Sequence, residues 1–335
     1  MRVCFFAPVS NRRMLEHAEY YKQDIDILRE LGFDVTIATS WSEIPWTADF
    51  YFVWWWTWAF LPILKARLHK RPVLITGTFD YRWPIPGYDY HSRPEWQKSI
   101  LRLSLRLSSA NVFVSQLEYL GVTGGLGIKN GYYVPHVLNT DLYSEGIGER
   151  DDIVLTVAGL QKPSAERKCV HEIIRCVPFV RASHPSVRFT IAGEHGSAYA
   201  ELQTLARKLK VDDVLSFPGV IPRDCKIRLM QQCKVYLQPS VYEGFGVAIL
   251  EAMSCGAAVV SNPVGAVPEV VGDAGLLVEG RSPEILASVV NRLLSDAPLR
   301  RDLGRRARER VKTLFSFERR KSALERIIRD IFARR

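Results

Sequence analysis

The sequence predicts an α/β chain made of two successive doubly wound halves, and three observations carry that reading. Apolar runs of strand length alternate with stretches of helical periodicity along the chain. The alternation restarts after the charged break GERDD at residues 148–152. A length of 335 residues with 47% hydrophobic composition is enough for two cores. The expected division is 1–148 for the first half, 149–312 for the second, and 313–335 for a closing helical segment.

In the first half RVCFFAPV reads as a buried strand. Residues 14–31 follow as a helix with Leu15, Ala18, Ile25 and Leu28 on its apolar face, Gly32 ends it, and FDVTIAT is a second strand. Further strands are expected at ADFYFVWW, PVLITGT and ANVFVS, with a helix over residues 95–107 between the last two. Trp54, Trp55, Trp56 and Trp58 fall at the C-terminal end of a strand, the edge where open sheets hold ligands. Either they stack on a sugar or a lipid headgroup, with Trp56 the candidate acceptor contact, or they fill the core, the commoner use. The polar, Pro-rich loop over residues 77–96 leaves the sheet at the same edge and carries Asp80, Arg82 and His91, further acceptor candidates. YYVPHVLNTDLY reads as a strand followed by a turn built on Pro135, Asn139 and Asp141.

The second half repeats the pattern: IVLTVAG strand, helix over Val170–Ser183, VRFTIAGE strand, helix over 199–209, VLSFPG strand, a short helix over 226–232, then VYLQPS. LQKPSAE reads as a flexible loop that delivers Arg167 and Lys168 to the start of a helix, where cations are mildly unfavourable. The densest chemistry lies in residues 238–278. There PSVYEGFG breaks a strand and opens the helix VAILEAM, which Gly256 ends. The first turn of a helix carries unpaired N–H groups and partial positive charge, so it attracts phosphate. Gly244 and Gly246 let a ligand approach the backbone. Glu243 and Glu251 would then face groups on either side of a phosphate, and carboxylates accept from the paired hydroxyls of a ribose or a hexose. An acidic helix cap with a solvated Glu251 would use the same residues.

This stretch resembles the nucleotide-sugar motif of glycosyltransferase family 4, the retaining glycosyl transferases group 1. That pattern is PS, then EGFG, then EAM, with seven residues between the glutamates; here they are 244–250. The resemblance implies the GT-B fold, two Rossmann-like domains with an inter-domain cleft, the last helix crossing back to the first domain. It implies a metal-independent retaining hexosyltransferase that moves a sugar from a nucleotide diphosphate sugar, UDP favoured, to an acceptor hydroxyl. On this basis Glu243 binds the donor sugar and Glu251 the ribose. The backbone of Gly244, Phe245, Gly246 and Val247 binds sugar and diphosphate. Lys168 matches the family's clamp lysine, whereas Leu160 stands where the family carries arginine, so Arg167 or Lys162 supplies the second charge. Gly193 and Glu194 match the donor-facing loop, and Val220 and Ile221 the segment that contacts the nucleobase. Two further departures are the turn PVSNRRM in place of paired glycines, with Arg12 and Arg13 as alternative anion contacts, and no histidine at Gly77 or Thr78. Asp80 or His91 would cover that role. Three other readings remain: a nucleotide-sugar epimerase, a phosphorylase, and a non-catalytic nucleotide-binding subunit.

No metal or other cofactor is expected, because the nucleotide sugar is a substrate and the close pairs Asp24/Asp26, Asp151/Asp152 and Asp212/Asp213 make poor metal sites. Six scattered cysteines without CxxC spacing argue against a zinc site and a disulfide framework. No run of 18 apolar residues exists, DFYFVWWWTWAFLPIL is interrupted at Pro62, and the N-terminus lacks a signal-peptide pattern. A cytoplasmic location is the expectation. The formal charge of +9 resides wholly in residues 298–335, with 14 Lys and Arg against 5 Asp and Glu. That tail is read either as a solvated helix pair or as a peripheral membrane contact at the inner face, suited to a saccharide or lipid-linked acceptor. Nucleic acid is not an expected partner.

Overall fold

A computed structural model gives the structure, which describes residues 1–84 and 89–334. The chain forms two compact units, one of Met1–Val137 with Phe317–Arg335 and one of Leu138–Ser316. The change of unit thus falls upstream of Gly148. The reason is packing: the Leu138 N–H donates to the Phe315 carbonyl, and Tyr143 is fully buried.

The first unit holds a parallel sheet of β1 (Arg2–Phe6), β2 (Asp34–Ala38), β3 (Phe50–Trp54), β4 (Val73–Gly77), β5 (Ala110–Phe113) and β6 (Gly131–Tyr133), in spatial order β2-β1-β3-β4-β5-β6. Its helices in chain order are α1 (Met14–His17), α2 (Glu19–Glu30), α3 (Phe60–Leu68), α4 (Glu95–Leu107) and α5 (Gln116–Leu126). Strands covered on both faces read as continuous apolar runs, which is why β3, β4 and β5 are buried at every position and were legible.

One expected helix is split, and α3 and α5 fall where no helix was expected. The helix over 14–31 is two helices, because Ala18 takes an extended conformation (φ −85°, ψ 109°). Ala18 is itself a strong helix former, so no local signal marks the break. Pro62 does not interrupt the aromatic stretch; it sits in the first turn of α3, where a missing N–H costs nothing. In α5 three glycines lower helix propensity, yet two are required. A Cβ at Gly125 would lie 1.9 Å from the Tyr81 hydroxyl, and one at Gly121 would lie 3.1 Å from the same ring.

The second unit holds β7 (Asp151–Val157), β8 (Arg188–Ala192), β9 (Leu215–Ser216), β10 (Cys233–Gln238), β11 (Ala258–Ser261) and β12 (Leu276–Leu277), all parallel, in order β12-β11-β10-β7-β8-β9. Its helices are α6 (Lys162–Arg167), α7 (Val170–Ser183), α8 (Tyr199–Lys208), α9 (Arg223–Gln232), α10 (Val247–Ser254), α11 (Val267–Val271), α12 (Pro283–Ser295) and α13 (Ala297–Leu314). The bounds expected for α4 and α7 match.

The last helix, α14 (Phe317–Ala333), belongs to the first unit, where Leu324, Ile327 and Ile328 share a core with Val3, Phe5 and Leu28. Arg320 and Asp24 form a fully buried two-point ion pair there, with contacts of 2.7 and 3.1 Å. Arg320 also donates to the carbonyls of Val134 and Pro135. Beside it Gln23 lies 2.7 Å from His136 Nδ1. Burial, and next Arg320, hold the His136 imidazole well below its usual range, so it is neutral and accepts there.

The basic tail divides between internal structure and solvated surface: Arg301, Arg305, Lys312, Arg319, Arg326, Arg329 and Arg334 are exposed, while four other arginines are tied to the backbone. Besides Arg320, Arg300 donates to the carbonyls of Leu293 and Leu294, Arg308 to those of Tyr143 and Ser254, and Arg310 to those of Glu269 and Val270. Among the described residues no helix is long and apolar enough to cross a membrane.

Candidate active site

In the second sheet the connections run outward in opposite directions from β7 and β10, which lie side by side. Such a reversal leaves a crevice outside the carboxyl ends of the two strands. The segments leaving those ends are residues 158–169 and 239–246, the two that hold the chemistry read from the sequence.

After β10 the chain turns at Ser240 and reaches Gly246, whose left-handed conformation (φ +94°, ψ +49°) precedes α10. No side chain caps α10, and uncapped first-turn N–H groups suit an anion. The side chain of Glu243, 7% exposed, turns inward. Three donors converge on its Oε1: Arg167 Nη1 at 2.7 Å, Ser240 Oγ at 2.8 Å and Gln238 Nε2 at 2.9 Å. Burial pushes the Glu243 carboxyl up, but Lys168, Arg167 and Ser240 outweigh it and hold it below the usual carboxylate range. Glu243 is thus an ionised, oriented group.

Lys168 comes from the β7 side. Its Nζ donates to the Val157 carbonyl (2.9 Å) and to Gln238 Oε1 (3.2 Å). Burial lowers the ammonium to about 8, with Glu243 pulling it back up. Gln238, fully buried, joins the two charged groups: its amide nitrogen donates to Glu243 and its oxygen accepts from Lys168 and from Tyr236 Oη (2.7 Å). A cation pair therefore stands beside a carboxylate at the crevice, and a diphosphate is the complement of the pair.

The LQKPSAE segment is not a loop but the short helix α6, and this corrects the reading of Arg167. Arg167 ends α6, Lys168 follows it, and α7 starts only after Cys169 in a left-handed turn (φ +52°). At the C-terminal end of a helix a cation is mildly favourable, so the expected electrostatic cost is absent. Leu160 is fully buried, with its N–H on the Glu194 carbonyl; it is a core residue, and Lys162 is exposed. Arg167 rather than Lys162 lies beside Glu243.

Glu251 lies on α10, 2% exposed, and its Oε1 accepts from Lys226 Nζ (2.5 Å) and Tyr143 Oη (3.1 Å). Phe245 is buried against Phe315 with ring centroids 5.9 Å apart, which leaves its backbone as the part able to face a ligand. Gly244 and Val247 are half-buried at the turn. Gly193 closes β8, where a Cβ would meet the Ala158 carbonyl at 1.9 Å, and its N–H donates to the Gly219 carbonyl. The loop pair so formed leaves Glu194 exposed and Val220 75% exposed, with Ile221 half-buried.

The acceptor candidates belong to the first unit. Trp56 is 2% exposed, its indole N–H donates to Asn111 Oδ1 (2.8 Å), and its ring stacks on Phe113. Core packing thus accounts for the Trp56 ring, although the residue also lines a small cavity. Arg82 and His91 are exposed, and Asp80 lies 4.0 Å from Arg93; the middle of their loop, residues 85–88, lies outside the described residues. That cavity, of about 60 Å³, is lined by Trp55, Trp56, Asp80 and Arg93 among others.

Sequence reasoning missed Gln238, Ser240, Lys226 and Tyr143. Ser240 lay within the PS motif, whereas Lys226 and Tyr143 reach Glu251 only through tertiary structure and left no local signal.

Two doubly wound units with this crevice define the class as GT-B. The backbone superimposes on HepE from Anabaena, solved with UDP and glucose, with a TM-score of 0.79 over 98% of this chain and all of that one, at 15% identity. It superimposes on sucrose-phosphate synthase from Thermosynechococcus elongatus with a TM-score of 0.78 over the full length of both, at 17% identity. Residues 140–310 match the model of the glycosyl transferases group 1, so the chain belongs to that family. Among curated relatives, N-acetyl-alpha-D-glucosaminyl L-malate synthase of Bacillus anthracis is 30% identical over 188 residues, 56% of this chain and 47% of the relative. A phosphatidylinositol N-acetylglucosaminyltransferase subunit from Arabidopsis thaliana is 25% identical over 201 residues, 59% of this chain and 44% of the relative. The matches thus span less than half the length of these relatives.

Proposed function

We propose that this chain transfers a hexosyl group from a UDP-sugar to an acceptor hydroxyl, with retention of anomeric configuration and without a metal ion. The observation that carries the reading is the set Arg167, Lys168 and Glu243 gathered between β7 and β10, beside the N-terminus of α10. The leaving diphosphate gains negative charge as the sugar becomes oxocarbenium-like, so fixed positive charge there lowers the barrier. Lys168, Arg167 and the N–H groups of α10 meet that demand. Glu243 holds donor-sugar hydroxyls, and Glu251, oriented by Lys226 and Tyr143, accepts from the ribose.

In the proposed step the bond from the anomeric carbon to the diphosphate oxygen breaks and a bond to the acceptor oxygen forms on the same face. The acceptor proton passes to the departing phosphate, so no protein nucleophile is required. The choice of uridine draws support from HepE, whose structure holds UDP and glucose. Gly193, Glu194, Val220 and Ile221 line the base side of the proposed site. The acceptor is a saccharide or a lipid-linked saccharide, met by Asp80, Arg82 and His91.

Incubation with UDP-hexoses and saccharide acceptors in excess EDTA, followed by NMR of the product, tests this reading. The expected product keeps the donor's anomeric configuration. Inversion, or activity that EDTA abolishes, would overturn it, and an isomerised donor formed without acceptor would indicate an epimerase.

A further inference from the structure

Helix α3 is apolar on both sides. Ile63 and Ala66 face the core at 3% and 0% exposure, while Phe60, Leu64 and Leu68 stand outward at 45%, 46% and 64%. Their spacing of four places all three on one stripe. A helix apolar all round is normally enclosed, and a continuous outward stripe marks a contact surface.

Exposed tryptophans lie beside α3. Trp58 enters α3 and meets Trp41 edge-on at 5.8 Å; both are about half exposed. Trp46, 52% exposed, lies under Lys65 Nζ at 4.6 Å from the ring centroid. Exposed cations stand on and just after the same helix: Arg67 on α3, then Lys70. Residues 41–106 carry nine Lys and Arg against five Asp and Glu. The acids that neighbour Trp41 and Trp46 in sequence are paired, Glu43 with Arg12 and Asp49 with Arg71.

We propose that this face, formed by α3 and its tryptophans, seats the protein on an anionic lipid surface. Tryptophan and leucine beside a Lys/Arg rim suit the headgroup boundary, where the rings reach the acyl edge and the cations meet lipid phosphate. A second copy of the chain is disfavoured, because it would oppose one basic surface with another, and lysine is depleted at the core of protein interfaces. The tail is a poorer candidate: Arg300, Arg308, Arg310 and Arg320 are occupied with backbone carbonyls, and its exposed cations, such as Arg326 and Arg329, have no exposed large apolar side chain beside them on the tail helices among the described residues. The inference is independent of the donor site, which belongs to the other unit.

The test is flotation of the full chain with vesicles of phosphatidylcholine alone and of phosphatidylcholine mixed with phosphatidylglycerol, with tryptophan emission read in parallel. The expected result is binding to the mixed vesicles, a blue shift, and weakening as salt rises. Leu64→Gln with Leu68→Gln should lower binding at least about ten-fold at unchanged melting temperature. Arg67→Glu with Lys70→Glu, both exposed, should do the same if the leucine variant melts early. Arg326→Glu with Arg329→Glu in α14 should leave binding intact. Absence of binding to the mixed vesicles, equal binding by the α3 variants, or loss confined to the α14 variant would each overturn the proposal. So would a wild-type dimer that the α3 variants convert to monomer, which would assign the face to a second copy.

Discussion

Replacement of Lys168 by Met separates a catalytic lysine from a structural one, because the two roles predict opposite effects on stability. The folded chain holds the Lys168 ammonium at about 8 against 10.5 for a free lysine, burial being the main cause. At neutral pH the charged form is therefore disfavoured by about 3 kcal/mol relative to an unburied lysine. Removal of the amine also loses its bonds to Val157 and Gln238, about 1 kcal/mol each. The two terms nearly cancel, so Lys168→Met should unfold within about 1 kcal/mol of wild type at pH 7 in denaturant titrations. The pH dependence has a fixed sign. Between pH 8 and 10.5 the unfolded chain binds more protons at this site than the folded chain, so wild-type stability rises across that window and the variant loses the rise. Meanwhile UDP affinity should fall about ten- to a hundred-fold, the worth of one charged hydrogen bond. In wild type that affinity should decline above pH 8 as the ammonium deprotonates. A variant destabilised by about 3 kcal/mol or more with unchanged UDP affinity would make Lys168 a structural residue and refute the reasoning.

Glu243→Gln removes a carboxylate that raises the Lys168 pKa, so the decline of UDP affinity with pH should begin below pH 8 in that variant; an unmoved midpoint would show the two groups uncoupled. Gly193→Ala drives a Cβ to 1.9 Å from the Ala158 carbonyl and should cost about 2–4 kcal/mol in denaturant titration; a silent substitution would mean that the loop relaxes freely. Arg320→Met strands buried Asp24 and should cost about 3–5 kcal/mol, a good part of it recovered by adding Asp24→Leu; no recovery would place the loss on the carbonyls of Val134 and Pro135 instead.

The sequence was most readable where folding information is local. Parallel strands buried on both faces, such as β3 and β4, are continuous apolar runs, and α4 and α7 have breakers at both ends. It was least readable where a tertiary partner decides. The glycines of α5 look like helix breakers until Tyr81 is seen against Gly121 and Gly125, and the break at Ala18 has no local cause. The site divides the same way. Glu243, Lys168 and Glu251 stand out because turn, helix start and acidic spacing are contiguous in sequence. Gln238 looks like a strand end, yet it joins Lys168 to Glu243, and Lys226 looks like a surface cation until it meets Glu251. Trp56 shows the converse: its place at a strand end suggested a ligand, and only the tertiary structure reveals that its ring is buried against Phe113.

Hydrogen–deuterium exchange of the full chain with and without saturating UDP tests the central claim most directly, because it reports where the donor nucleotide sits. The account predicts slowed exchange in residues 158–169 and 239–250, the two segments that leave β7 and β10 together with the first turn of α10. Clear binding with protection elsewhere, and none in those segments, would contradict it.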